Sequence, residues 1–393
     1  MNFNYCIDFP MPSDVIHAPS FLLRGWITVQ NETTFEYVVL INDVNYKKIS
    51  LDKVDREDVE HTFPGHSVFG FSKLISSLDI MPGRNYFLEF KTGQKIMKFP
   101  VSLNISAEFY NEFSALKNVK LERIREIICC PQCKNDDLIS SGSRITCPVC
   151  HEIYNQEEFS FSFLNQQSMN QGKIIPTTNV SSNEYDPVAL QIVEEYQGGL
   201  ILDNGAGLRS RYLPQVVNYE VVNYPTTDVL GIGECLPFKS NSFDAVFSLA
   251  VLEHVKDPFK CAQEIERVLK PGGKIYIAVP FLQPFHGYPD HYYNMTMNGL
   301  KNLFSEQIGI IHSGVPKSGL PLWALTWFMN SYVNGLPQHI AKVFLNKKVA
   351  DFLKDPLTLL EEDWVVHLKP ETIGELACVN YLVGWKRSVD DHG

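Results

Sequence analysis

The stretch that decides the fold is Leu200-Ile201-Leu202-Asp203-Asn204-Gly205-Ala206-Gly207. A short apolar run of this kind reads as a strand buried on both faces. It ends in an acid and then in two glycines, where a strand would turn into a helix. Glycines at such a turn let the backbone approach a ligand closely and adopt dihedrals closed to other residues. A helix starting behind them would favour an anion at its N-terminus. In open α/β sheets ligands settle at the carboxyl ends of the strands, which is where this loop falls. A dinucleotide-binding turn would read G-x-G-x-x-G. Here the third position is Ser210 and the acid precedes the glycines, an order suited to a ligand that carries an ammonium group.

Outward from this loop the chain alternates strands with helical segments. VVNYEVV (216–222), FDAVFSLAV (243–251) and KIYIAVP (274–280) are apolar runs of strand length. Between the last two, residues Phe259 to Leu269 predict an amphipathic helix with Cys261, Ile265, Val268 and Leu269 on its apolar side. Alternation of this kind predicts an α/β domain with a mostly parallel sheet and helices on both faces. ACVNYLVGWK (377–386) reads as a last strand, and Pro271-Gly272-Gly273 as a turn.

Further motifs follow in a fixed order: Leu236-Pro237-Phe238, Ser242-Phe243-Asp244-Ala245-Val246, Leu252-Glu253-His254-Val255, and Arg267-Val-Leu-Lys-Pro-Gly-Gly273. Together with the glycine loop, this series resembles the Rossmann-like class I methyltransferases that use S-adenosylmethionine, particularly the branch with a strand-end L-E-H. The resemblance covers roughly residues 195 to 305. It implies that Asp203, Gly205 and Gly207 hold the methionine end of the cofactor. It places Glu220, at the end of the second strand, on the ribose hydroxyls, where a carboxylate can accept two hydrogen bonds. Glu234 and Leu236 would sit beside the adenine, and Ala250 to His254 would form the floor between cofactor and acceptor. Two positions depart from the pattern. Ile232 stands where an Asp often grips the adenine amino group, and Arg209 replaces a third glycine.

Methyl transfer is an in-line displacement, so the protein must align the acceptor and, for a hydroxyl, take its proton. His254 closes the fourth strand, and the segment Pro280–Tyr293 brings His286, Asp290 and His291 into one loop among tyrosines. That loop resembles a segment of relatives associated with sugar and cell-surface polysaccharide pathways. The expected acceptor is therefore a sugar, glycan or related small molecule, with His286 first among the candidate bases. The apolar stretch Leu320–Val333 is read as core rather than as an acceptor lid or membrane-surface helix.

Upstream, Cys130-Pro-Gln-Cys133 and Cys147-Pro-Val-Cys150 form two short pairs separated by residues 134 to 146. Each pair can bend into a knuckle that aims two thiolates at one ion, and four thiolates suit a closed structural zinc site. Cys129 and His151 are treated as neighbours of that set. The module resembles the zinc ribbon of the small activator proteins that partner tRNA and protein methyltransferases. The helical spacing of Phe109, Phe113, Leu116, Val119, Ile124 and Ile127 leads into it. Earlier still, FLLRGWITV (21–29), FEYVVLIND (35–43), NYFLEFKTG (85–93) and QKIMKFPVSL (94–103) predict a small all-β sandwich. It vaguely resembles an accessory domain of bacterial glycan-modifying enzymes.

The expected organisation is thus a sandwich over 1–104, a helical lead-in and ribbon over 105–165, a linker over 166–189, and the methyltransferase domain over 190–393. A formal charge of -11 argues against a general nucleic-acid partner. No signal peptide or membrane span is read, and paired cysteines without a secretion signal point to a reducing cytoplasm. A protein partner could dock through the ribbon or the sandwich. Besides a small-molecule or glycan methyltransferase, the motifs admit a noncatalytic scaffold on a degenerate methyltransferase fold, and a tRNA or protein methyltransferase.

Overall fold

The computed structural model describes residues 3–30, 34–43, 48–93, 95–175, 177, 181–182 and 184–378. Its contacts divide the chain into two compact units, Met1–Leu249 with Gln263–Ile277 and Ala250–Ala262 with Ala278–Gly393. The expected last strand lies almost wholly outside the described residues.

The first unit begins with β1 (Phe3–Phe9), β2 (Val15–Ile16), β3 (Ser20–Gln30), β4 (Tyr37–Asn42), β5 (Lys48–Ser50), β6 (Lys53–Val54), α1 (Glu57–Thr62), β7 (His66–Ser76), β8 (Tyr86–Thr92), β9 (Lys95–Val101) and β10 (Asn104–Ile105). Eight of these strands make two four-stranded sheets, ordered β1-β3-β7-β6 and β5-β4-β8-β9. Leu23, Ile27 and Phe71 from one and Leu40, Leu88 and Phe90 from the other are buried in a common core. The long strand β7 was not among the strands read from sequence. Its HSVFGFSKLIS carries a central glycine and scattered polar residues, so no apolar run announces it.

A single helix, α2 (Ala107–Ile127), follows, capped by the Ser106 hydroxyl accepting from the Phe109 N–H. Its buried stripe is Phe113, Lys117, Lys120, Leu121 and Ile124. The expected apolar member Val119 instead points to solvent, 61% exposed. Two lysines occupy positions at which helical spacing alone would call for apolar side chains.

Strands β11 (Ile139–Ser141), β12 (Arg144–Thr146), β13 (Ile153–Gln156) and β14 (Phe161–Ser162) come next, then α3 (Gln166–Gln171) inside the expected linker and α4 (Pro187–Glu195). The central strands are β15 (Ile201–Asn204), β16 (Val216–Glu220), β17 (Val229–Leu230), β18 (Phe243–Leu249) and β19 (Leu269–Ala278). All nine strands belong to one sheet, β11-β12-β13-β14-β17-β16-β15-β18-β19. The cysteine module is therefore an extension of the central sheet. The strands β11 to β14 pair antiparallel, and β14 then pairs parallel with β17, Phe161 opposite Val229. The order β17-β16-β15-β18-β19 puts β15, the strand that ends in the glycine loop, in the middle of these five. On it α4 buries Ala189, Ile192 and Val193 against Ile201, Val216, Ala245 and Phe247.

Two expectations fail here. No helix stands behind the glycine loop, and none joins β16 to β17. The connections 205–215 and 221–228 are shorter than the dozen or so residues a helical crossover usually takes. Each also contains a proline, Pro214 or Pro225. The loop at Gly205 thus has no helix dipole behind it. Nor is Pro271-Gly272-Gly273 a free turn: these residues lie within β19, with Gly272 at φ +78°. The helix α5 (Pro258–Val268) does lie before β19 as expected.

The lysines of α2 are held by Asp228, at the entrance of β17. Lys117 Nζ donates to the carbonyls of Phe159 and Thr227 and to Asp228 Oδ1, at 3.4, 2.6 and 3.1 Å. Lys120 Nζ donates to the Val216 carbonyl and Asp228 Oδ2, at 2.6 and 3.1 Å, and lies 3.4 Å from the centre of the Tyr212 ring. The Tyr212 hydroxyl and the Asn218 N–H also donate to this carboxylate. All three charged side chains are 1% exposed or less.

The second unit carries α6 (Met297–Lys301), α7 (Pro321–Asn334), α8 (Gln338–Phe344), α9 (Val349–Phe352), α10 (Asp363–Val366) and α11 (Pro370–Glu375). Its core gathers Leu336, Ile340, Phe344 and Trp364, against which Met329, Tyr332 and Val333 of α7 pack. The core reading of residues 320–333 is corrected: no residue of α7 is fully buried, and Trp323 is 63% exposed. Only the C-terminal half of the helix meets the core. Among the described residues no helix is long and apolar enough to cross a membrane.

The Asp228 cluster predicts unequal effects of mutation. Asp228→Asn leaves two buried ammonium groups without an anion and should cost about 3–5 kcal/mol. Lys120→Met keeps the volume and removes the excess cation, so it should be far milder in denaturant melts. Burial, opposed by Asp228, pushes Lys120 down to about 7, against 10.5 for a free lysine. Above pH 7 the unfolded chain then holds a proton the folded chain has lost, so this group's contribution to stability rises with pH. Between pH 7 and pH 9 the wild type should gain on Lys120→Met, by up to about 1.4 kcal/mol per pH unit. A constant difference across that range would contradict the assignment.

Candidate functional site

At the carboxyl end of β15, Asp203 is fully buried. Its Oδ2 accepts from the Tyr185 hydroxyl at 2.5 Å and from Arg209 Nε and Nη2 at 3.0 and 2.7 Å. Burial works against the Arg209 charge, but the Asp203 carboxylate more than restores it, so the guanidinium pKa stands above its usual value. The Arg209 guanidinium also lies 4.1 Å from the centre of the Tyr185 ring. The residue that replaces a glycine in the family pattern has thus folded back onto the motif's own acid. The other oxygen, Asp203 Oδ1, has no hydrogen-bond partner, and neither have Asn204 Nδ2 and Ser248 Oγ. These three buried orphans stand at the ends of the paired strands β15 and β18. Buried polar atoms without partners cost free energy, and a ligand able to donate to Asp203 Oδ1 would relieve part of that cost.

Gly205 and Gly207 have φ of +81° and +63°. A Cβ on Gly207 would lie 2.7 Å from the Ser181 carbonyl oxygen, so only glycine lets this segment lie over the loop. Glu220, at the end of β16, accepts from the Gly207 N–H through Oε2 and from the Val221 N–H through Oε1, at 2.8 and 2.7 Å. Burial pushes its carboxyl up, against these backbone donors. Two carboxylates therefore brace the site, Asp203 on the Tyr185 and Arg209 side chains and Glu220 on the loop backbone.

Glu234 is 3% exposed and Leu236 fully buried. Both backbone groups of Leu236 are committed. Its N–H donates to Glu264 Oε2 at 2.8 Å, and its carbonyl accepts from Lys134 and Arg267, each at 3.1 Å. Arg267 also reaches the Phe238 carbonyl at 2.6 Å. Ile232 is buried and its carbonyl accepts from the Tyr219 hydroxyl at 2.8 Å. Sequence reasoning missed this clamp. Its signal was the Glu264–Arg267 spacing on α5, three residues apart on one helix face.

The four cysteines of the two pairs converge, one ligand atom of each lying within 4.8 Å of the others. Cys130 Sγ lies 3.5 Å from Cys150 Sγ, and Cys133 Sγ 3.5 Å from Cys147 Sγ. Thiolates about 2.3 Å from a tetrahedral zinc would sit about 3.8 Å apart, close to this spacing. The two knuckles repeat each other. Lys134 N–H returns to the Cys130 carbonyl and His151 N–H to that of Cys147, with Lys134 and His151 both left-handed at φ +58° and +63°. Cys129 is buried beside the quartet and bonds through its N–H to the Pro237 carbonyl.

In the second unit Ala250 has φ +57° and its N–H meets the Ala278 carbonyl. Glu253, His254 and His286 converge, one ligand atom of each within 4.8 Å of the others. Glu253 is fully buried and neither carboxylate oxygen has a hydrogen-bond partner. Burial pushes its carboxyl up to about 8. His254 Nδ1 lies 2.7 Å from the Asp290 carbonyl and His286 Nδ1 2.7 Å from that of Pro284. A carbonyl can only accept, so each Nδ1 carries the proton and each Nε2 keeps a lone pair. Burial, then the neighbouring His286 and His291, holds the His254 pKa below its usual value. His291 is used differently. Its Nδ1 accepts from the His286 N–H at 3.1 Å, while its Nε2 faces Asn294 Oδ1 at 3.2 Å. Asp290 Oδ1 accepts from the His291 N–H. Of the four acceptor-side candidates, His254 and His286 present free imidazole nitrogens, and His291 and Asp290 shape the loop.

Residues 209–277 match a family described as a methyltransferase domain. The chain is 36% identical over 55 residues to a tRNA U34 carboxymethyltransferase of Campylobacter curvus, covering 14% of this chain and 18% of that protein. It is 44% identical over 59 residues to a demethylmenaquinone methyltransferase of Renibacterium salmoninarum, covering 15% and 24%. The matches thus span about a quarter or less of these relatives' length. Among solved structures, a phosphoethanolamine N-methyltransferase 2 of Haemonchus contortus aligns with 88% of this chain and 67% of its own, at 14% identity and a TM-score of 0.25.

Gly287 offers a direct check on the histidine cluster. Its φ is +94° and a Cβ there would lie 2.2 Å from His254 Cε1. Gly287→Ala should displace the imidazole and cost about 1–3 kcal/mol. Unchanged His254 ring resonances and unchanged stability would show that the loop does not pack as described. The family match over residues 209–277 takes in β16, β17, β18 and nearly all of β19, four neighbours of β15 in the central sheet.

Proposed function

We propose that the protein is an S-adenosylmethionine-dependent methyltransferase acting on a hydroxyl of a saccharide or related small molecule. The observation that carries the reading is Asp203 Oδ1, a buried carboxylate oxygen without a partner at the end of the central strand. The cofactor, when bound, supplies a methyl group on an activated sulfonium. Asp203 Oδ1 accepts from its ammonium, and Gly205 and Gly207 let the backbone come close. Glu220 takes the ribose hydroxyls on the lone pairs its backbone donors leave. Glu234 and Leu236 border the adenine, and Ala250 the reacting end. The clamp on Leu236 fixes that border before any ligand arrives.

On the acceptor side His286 Nε2 is the basic atom that takes the hydroxyl proton, and His254 supports it. The exposed Phe281 and Phe285 of the same loop offer flat apolar faces of the kind a sugar ring stacks on. The four cysteines hold a structural zinc, which suits their geometry and stabilises the hairpins that continue the sheet. Because β14 already pairs with β17, the ribbon serves its own methyltransferase domain. The net charge of -11 supports an acceptor other than nucleic acid.

One observation favours a scaffold instead: Arg209 already places a cation on Asp203. Calorimetric titration of the zinc-loaded protein with S-adenosylmethionine and S-adenosylhomocysteine separates the two. The enzyme reading expects micromolar binding, lost in Asp203→Asn and retained or tightened in Arg209→Met, which removes the competing cation. No binding of either ligand by the folded wild type would select the scaffold. With an acceptor in hand, His286→Ala should lower kcat by about 10²–10⁴-fold.

A further inference from the structure

We propose that Glu253, His254 and His286 form a second metal site, one for a divalent first-row transition ion, separate from the cysteine quartet. Three features point there. The Nε2 lone pairs of His254 and His286 are free because each Nδ1 proton is committed to a backbone carbonyl. That is the arrangement metal-bound histidines usually show, since the second nitrogen's hydrogen bond fixes tautomer and ring orientation. The third member, Glu253, is a fully buried carboxylate with both oxygens unpartnered, and Oε1 stands 3.8 Å from His254 Nε2. Finally, the surroundings hold the rings in place. Gly287 leaves room for His254, the His286 N–H is anchored on His291 Nδ1, and the His286 ring lies 5.0 Å from that of Trp327.

The chemistry of the donors sets the class of ion. Two imidazoles and one carboxylate suit zinc, iron(II), cobalt(II) or nickel(II), whereas calcium and magnesium call for oxygen donors. Three protein ligands leave coordination positions open, unlike the closed quartet of thiolates. A cation here would also engage the two Glu253 oxygens, which have no hydrogen-bond partner. The inference does not require methyl transfer, but it refines the acceptor-side assignment. With an ion bound, the His286 Nε2 lone pair is a ligand. The ion's charge, in place of imidazole basicity, would then favour loss of a proton from a hydroxyl beside it to water.

Metal stoichiometry tests this without reading activity. The full-length protein, its cysteine site filled with zinc, is titrated with cobalt(II) after removal of loosely held metal. The expected result is one further equivalent per chain, with a visible spectrum that lacks the thiolate charge-transfer absorption of a cysteine site. Glu253→Gln and His286→Ala should each keep the zinc and weaken cobalt binding by more than the roughly 10–100-fold typical of losing an outer partner. A wild type that takes up no metal beyond the cysteine site would overturn the proposal. So would a further equivalent that persists in both variants. Either result would leave the cofactor titration, and the methyltransferase reading, untouched.

Discussion

A single carboxylate, Asp228, ties the first unit together. It accepts from ammonium groups on α2, from a hydroxyl in the loop after β15 and from the backbone of β16. The helix that supplies the lysines follows the N-terminal sheets and runs directly into the first cysteine pair. Holding that helix against β16 and β17 brings the ribbon's last strand to the free side of β17, where Phe161 and Val229 pair. Burying two ammonium groups against one carboxylate is costly unless every donor is met. Lys117 has an acceptor for each of its three protons, and Lys120 combines two acceptors with the face of Tyr212. Such a cluster has one arrangement in which it is satisfied. It therefore specifies how helix, ribbon and sheet meet, where apolar packing alone would tolerate slippage.

This cluster was not legible in the sequence, for a physical reason. Its members lie about a hundred residues apart, and Lys117 and Lys120 look like the solvated side of an amphipathic helix. Their place on the same stripe as Phe113, Leu121 and Ile124 was the available signal. What could be read were features of short range. Apolar runs marked β15, β16, β18 and four of the eight strands of the two N-terminal sheets, and the two C-P-x-C pairs marked a convergence of thiols. The missing helices at 205–215 and 221–228 show the limit of a motif. The Asp-x-Gly-x-Gly pattern carries an expectation of a helix behind it, but the residues up to Gln215 are too few and too irregular to build one.

The Arg209–Asp203 pair is the main tension in the cofactor half of the proposed site. A guanidinium is a planar, rigid donor, and it takes only one of the two carboxylate oxygens. The oxygen left over faces the same buried strand ends as Asn204 and Ser248. A cationic group donating to that oxygen would share one anion with Arg209. That arrangement would lower affinity relative to a site whose carboxylate is wholly free, yet it also keeps the acid oriented when no ligand is present. The substitution of a glycine by Arg209 thus exchanges affinity for preorganisation.

The histidine cluster of the second unit shows the complementary logic. There the histidines are prepared by their hydrogen bonds, and it is the carboxylate that lacks a partner. Neutral imidazoles accept a proton or a metal through the same lone pair. A buried carboxylate beside them strengthens either outcome, because it gains most from a cation placed close to it. Protonation of His286 would set one positive charge near Glu253. A divalent ion would set two and engage all three side chains at once. If the cluster were built only for proton transfer, one oriented base would suffice, and His254 would have no need of a glycine at 287 to make space for its ring. The convergence of two imidazoles on a carboxylate without hydrogen-bond partners is better matched to coordination than to a single proton.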